Sequence, residues 1–272
     1  MLKIILVLAL ITLPLMGETF TFKRRGVTVQ APSLEEMQKK VAPKTLPIFE
    51  LHDQKEKKYV GIPFSELLTA VYGKNWQATE ELLFTCKDGY QPTVPAAEFL
   101  KYPSYLSYSI EGQKFVVDNL SQNEKNIDLS PFYLVWDTIT HPELRKQGMG
   151  NWPYQVIAVD LVQFKDRFPN LAPPARSSPQ VVRGFLTFRS NCLACHSVNG
   201  DGAPKSVELN YPVSVTEYYK EAWLEKWILS PTNLRFNSTM PALSTSDPKK
   251  DVKDILAYLK AMAKQKIKPR EH

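Results

Sequence analysis

Cysteine and histidine are scarce in this chain: three and four, respectively, among 272 residues. Apart from His196, neither type recurs near Cys192 and Cys195 at the spacing a tetrahedral zinc site needs, which argues against a zinc knuckle. Glycine is also sparse, at eleven residues, and no Gly-rich phosphate-cradling loop is present. There is no recognisable Ser/His/Asp triad and no pair of carboxylates at useful spacing. Internal repeats and low-complexity tracts are missing as well. The continuous apolar run Ile4 to Met16 falls short of the ~20 apolar residues of a comfortable membrane-spanning helix.

That run follows the short positive segment Met1-Leu2-Lys3 and reads as a secretory signal peptide over residues 1–17, with cleavage near Gly17. Leu15 is large for the −3 position, so an uncleaved membrane anchor is the alternative. In either case the bulk of the chain is expected in the periplasm or otherwise exported, where an oxidising environment prevails.

Cys192-Leu193-Ala194-Cys195-His196 has the C-x-x-C-H spacing of covalent c-type haem attachment. Two thiols one helical turn apart can each add to a vinyl group on one edge of a porphyrin. The adjoining His196 then lies beneath the ring as the proximal iron ligand. A thioredoxin-like redox pair does not require that histidine and favours a βαβ setting.

Pro169, Pro173, Pro174 and Pro179 mark a semi-rigid linker, and residues 169–178 are taken to separate two domains. Net charge is +6, and the excess lies late: from Ser178 onward there are 14 Lys and Arg against 9 Asp and Glu. A basic surface of this kind steers acidic redox partners or membrane-bound respiratory components. Nucleic acid is not an expected partner of an exported chain.

In the second part, over 179–272, Ser178 can cap a helix that starts at Pro179 and runs to Asn191, with Val181, Phe185 and Phe188 at helical spacing. Asp247-Pro248 opens another, with Val252, Ile255, Leu256, Leu259 and Met262 as its apolar stripe. Gly184 predicts a close crossing with Tyr258 of that helix. A third helix is expected over Val215 to Leu229, turning Trp223, Leu224, Trp227 and Ile228 toward a cavity or the core. Met240, an apolar residue in a polar loop, is the candidate second axial ligand, and Met262 is read as core.

In this order of features, residues 178–265 resemble a class I cytochrome c. The resemblance implies an all-α domain, one covalent haem c and a proline carbonyl that accepts the proximal imidazole N–H. Pro204 and Pro212 are the two candidates, since Ala203-Pro204 replaces the family's Gly-Pro pair.

Over 18–168 the pattern is mixed. Segments 58–64, 82–86, 90–94, 105–110, 132–137 and 154–164 are strand-like, and Ser65 to Tyr72 is a short helix closed by Gly73. The last strand is apolar on both faces. Tyr59–Leu68, Leu82–Pro95, Pro131–Asp137 and Trp152–Phe164 resemble the molybdopterin-binding domain of sulfite-oxidase-type oxidoreductases, an α+β fold. In active members a Cys thiolate ahead of the segment matching Gly61-Ile62-Pro63 holds molybdenum. No cysteine precedes Cys86 here, so the fold is expected without molybdopterin, and Cys86 is read as a buried small hydrophobe.

The expected protein is thus multidomain, α+β and then all-α. It is read as an exported monohaem c-type cytochrome that passes single electrons through a haem ligated by His196 and Met240. The alternatives are a cytochrome-fused oxidoreductase, whose first domain oxidises a small substrate and hands electrons to the haem, and a non-catalytic domain that docks the cytochrome on a larger complex.

Overall fold

The computed structural model describes residues 19–146 and 152–269. The signal segment, its cleavage point and His272 lie outside them.

The first part is built from β1 (Thr21–Arg24), β2 (Val27–Gln30), α1 (Leu34–Lys40), β3 (Lys44–Glu50), β4 (Lys55–Pro63), α2 (Phe64–Tyr72), β5 (Glu81–Cys86), β6 (Thr93–Pro95), α3 (Ala96–Lys101), β7 (Ser104–Ile110), β8 (Val116–Asn119), β9 (Glu124–Asp128), β10 (Tyr133–Trp136), β11 (Val156–Val162) and α4 (Phe164–Arg167). A five-stranded sheet runs β2-β1-β11-β5-β6, and a four-stranded sheet runs β10-β7-β4-β3. Only the β1–β11 pairing is parallel among these. Phe22, Phe84 and Val159 of the larger sheet and Ile62, Leu106 and Trp136 of the smaller one share a single apolar cluster.

The second part contains α5 (Pro179–Asn191), the two-residue strands β12 (Ser197–Val198) and β13 (Asp201–Gly202), α6 (Val215–Tyr218), α7 (Glu221–Leu229), α8 (Pro231–Leu234) and α9 (Pro248–Ala263). Among the described residues it is therefore helical apart from this minimal β pairing just after the C-x-x-C-H motif and a single parallel bridge between Ser197 and Glu208. Ser178 Oγ accepts from Val181 N–H at 3.4 Å, and Asp247 caps α9 through Lys250 N–H. At Gly184 a Cβ would stand 1.8 Å from the Asp254 carbonyl oxygen and 3.0 Å from Tyr258 Cβ. Only glycine permits this approach of α5 to α9.

The expected helix over Val215 to Leu229 is broken. Tyr219 and Lys220 are extended, and Ser214 and Lys220 begin separate helices. The break lets Tyr219 stack on Trp223 at 4.5 Å and 18° between ring planes, and Trp223 stack on Trp227 at 5.1 Å and 11°. Trp223 remains partly at the surface instead of entering the core.

Strand β5 explains how the two parts meet. Leu82 and Phe84 face the sheet cluster, whereas Leu83 points the other way and joins Phe188, Leu224, Ile255 and Tyr258 in a second cluster. Val162 and Phe164 cross over with it. Thus β11 meets the second part through its end, at Val162, while Asp160 on the same face accepts from Gly26 N–H within the first part. Arg189 of α5 bonds Glu81 and lies 3.6 Å above the Phe164 ring. The proline-rich segment is docked: Leu171 is fully buried, and its carbonyl accepts from Tyr258 Oη at 2.8 Å. Among the described residues no helix is long and apolar enough to cross a membrane.

Candidate haem centre

The C-terminus of α5 delivers the motif. Cys192 N–H closes on the Phe188 carbonyl at 2.8 Å, and Cys195 and His196 N–H both return to the Cys192 carbonyl at 3.0 and 2.9 Å. This extra turn gives the two thiols their one-turn separation. Both are free. Burial pushes the Cys192 thiol up to about 12 and raises Cys195 as well, so both are protonated at neutral pH.

His196 is oriented by its other nitrogen. Its Nδ1 donates to the Val207 carbonyl at 2.9 Å, which leaves Nε2 available to a metal. Burial lowers the ring's pKa from its ordinary 6.5 and favours the neutral, ligating form. The acceptor is thus Val207, neither Pro204 nor Pro212. Gly202 has φ of 126° where its missing Cβ would collide with the His196 carbonyl, and Ser206 N–H bonds the Cys195 carbonyl at 2.8 Å. These constraints wrap the loop so that the Val207 carbonyl meets the ring.

Met240 lies in the loop between α8 and α9. Trp227 Nε1–H donates to its sulfur at 3.1 Å, and Ser238 Oγ accepts from its N–H at 3.3 Å. Met262 is fully buried in the α9 stripe. The structure brings Cys192, Cys195 and Met240 to the walls of one cavity of about 980 Å3, together with Leu193, Ile228 and Leu243. His196 follows Cys195 directly in the chain and is not itself among the residues that line this cavity. Free thiols, a thioether sulfur and apolar walls, with an adjoining neutral imidazole that has one nitrogen tied, are a donor set that fits a covalently held haem.

The far wall of this cavity belongs to the first part of the chain, which sequence reasoning did not foresee. Tyr90, Gln91, Trp152, Tyr154 and His52 line it. Gln91 N–H bonds the Ala194 carbonyl inside the motif at 2.9 Å, Lys205 pairs with Asp88 at 2.7 Å, and Gln122 Nε2 donates to the Thr239 carbonyl, beside Met240, at 3.0 Å. Cys86 is buried on β5, and burial raises its thiol far above the usual range. His141 lies near the surface against Tyr102 and Glu143, away from the cavity.

Residues 181–263 match the family model described as Cytochrome c. This stretch holds nearly all of α5, the motif, Met240 and the whole of α9. The similarity implies covalently bound haem c, electron transfer through it and redox partner proteins for this part of the chain. A search of curated proteins returns no match.

Proposed function

We propose that the chain is an exported electron carrier with one covalently attached haem, ligated by His196 and Met240. The observation that carries this reading is the convergence of Cys192, Cys195 and Met240 on one cavity, with His196 next in the chain and its Nδ1 held by the Val207 carbonyl. When bound, the haem supplies a single-electron store whose potential a thioether ligand raises. The chain's residues do the rest: the thiols tether, Val207 fixes the imidazole, and Leu193, Ile228 and Leu243 exclude water. Met240→Ala should lower the potential and open the ferrous iron to carbon monoxide. An unaltered carbon monoxide difference spectrum rejects Met240 as the ligand.

The division into units falls at 169–178, and the basic second unit suits acidic or membrane-bound redox proteins. For the first unit the reading is a relative of the molybdopterin-binding fold without the metal. What supports it is the sequence: no cysteine precedes Cys86 to stand where the family's thiolate ligand does. A metal analysis of purified protein tests this: molybdenum at one per haem overturns it.

A second reading has its own support, the shared cavity. The first unit walls the space into which the haem-attaching thiols face, so a small molecule admitted there would meet the haem directly. On this reading the chain is a cytochrome-fused oxidoreductase.

A further inference from the structure

His52 is buried, at 3% exposure, yet lines the same cavity as Cys192 and Cys195. It belongs to a network in the first unit centred on Glu50 at the end of β3. Glu50 Oε1 accepts from His52 N–H at 3.0 Å, His52 Nδ1 at 2.9 Å and Tyr133 Oη at 2.8 Å, and Glu50 Oε2 accepts from Tyr59 Oη at 2.5 Å. Burial alone would raise the Glu50 carboxyl, but the His52 and Tyr59 bonds hold it below its ordinary value. Glu50 is therefore a buried carboxylate with its donors in place.

The Glu50 carboxylate fixes Nδ1 as a donor nitrogen. In the neutral imidazole the lone pair then lies on Nε2, for which no hydrogen bond is found among the described residues. A carboxylate that orients a neutral imidazole lining a cavity is an arrangement able to recognise an incoming proton donor. The buried negative charge of Glu50 also disfavours an anion at that place.

The surroundings narrow the ligand further. Trp152, Tyr154 and Tyr90 supply aromatic wall, and Tyr154 meets the His52 ring edge-on at 5.6 Å. Such walls suit a planar ring. A haem with two axial protein ligands takes electrons singly, so the matching donors are rings that lose electrons one at a time, unlike aliphatic alcohols that give up hydride.

We propose that the cavity wall around His52 binds a small hydroxylated aromatic compound of the phenol or hydroquinone class, whose O–H donates to His52 Nε2. The proposal deepens the second reading above and rests on it for the choice of ligand class.

Isothermal titration calorimetry on the haem-loaded protein tests it, with phenol and its methyl ether anisole as probes. Phenol should bind saturably, one per chain. Anisole, which has the ring but no O–H, should bind at least about tenfold more weakly, the effect of leaving the acceptor unpaired. His52→Gln should weaken phenol by a similar factor while leaving the haem spectrum unchanged. Because that variant also removes a donor from Glu50, the phenol–anisole comparison on the unaltered protein stands independently of its folding. Equal affinity for phenol and anisole, or no saturable phenol binding, overturns the site. Hydroquinone added to the ferric protein separates the site from the reading beneath it. Haem reduction supports both, whereas phenol binding without reduction by hydroquinone supports the site and removes substrate oxidation.

Discussion

Trp227 donates its indole N–H to the sulfur of Met240 at 3.1 Å and is itself the innermost ring of a stack with Trp223 and Tyr219. The break between α6 and α7 makes this stack, and the stack holds the indole in place. A hydrogen bond to a thioether draws electron density from it. As the proposed iron ligand, the sulfur would then donate less to ferric iron, which favours the reduced state.

Trp227→Phe keeps an aromatic ring in the stack and removes the N–H. The haem potential should fall by up to about 40 mV, the single-electron equivalent of one neutral hydrogen bond of about 1 kcal/mol. Spectroelectrochemical titration of both proteins measures it. A rise in potential contradicts the assigned role of the indole.

Gly184→Ala places a methyl group where the Asp254 carbonyl already lies. The helices must separate, at about 3 kcal/mol for a substitution that overpacks a rigid crossing. Denaturant unfolding monitored by circular dichroism reports the loss. A midpoint shared with the unaltered protein would show that α5 and α9 do not meet at this position.

Glu50 links the first unit's stability to pH. Its folded carboxyl holds a proton more weakly than the ordinary value of 4.5, so its stabilisation is complete above that value. It is lost as pH falls through the lowered folded value. Glu50→Gln abolishes this contribution. The stability difference between the two proteins should therefore be constant above about pH 5 and shrink on acidification. Unfolding free energies measured between neutral pH and pH 3 test it, and a difference that grows on acidification contradicts a stabilised Glu50 carboxylate.

Much of the second unit was legible in the sequence. Pro179 and Asp247-Pro248 announce the starts of α5 and α9, and the stripe from Val252 to Met262 follows helical periodicity. Gly184 stood among bulky neighbours for a reason that proved geometric. The Val207 carbonyl was not legible, because which carbonyl meets the imidazole depends on the turn at Gly202 and the Ser206–Cys195 bond. Early strands escaped notice because β1 carries Lys23 and Arg24, and β2 faces solvent almost throughout. The far cavity wall was hidden for a different reason. Tyr90, Trp152 and His52 lie 40 to 140 positions before Cys192 in sequence, and only the docking of the first unit against the helices brings them near it. The apolar character of β11 was visible, but not that its last residue, Val162, joins the core of the other unit.

Intact mass spectrometry of the mature protein after acid denaturation tests the central claim most directly. Two thioether bonds survive denaturation, so the chain should carry the mass of one haem, and Cys192→Ala with Cys195→Ala should abolish it. A bare chain mass from the unaltered protein would contradict the account.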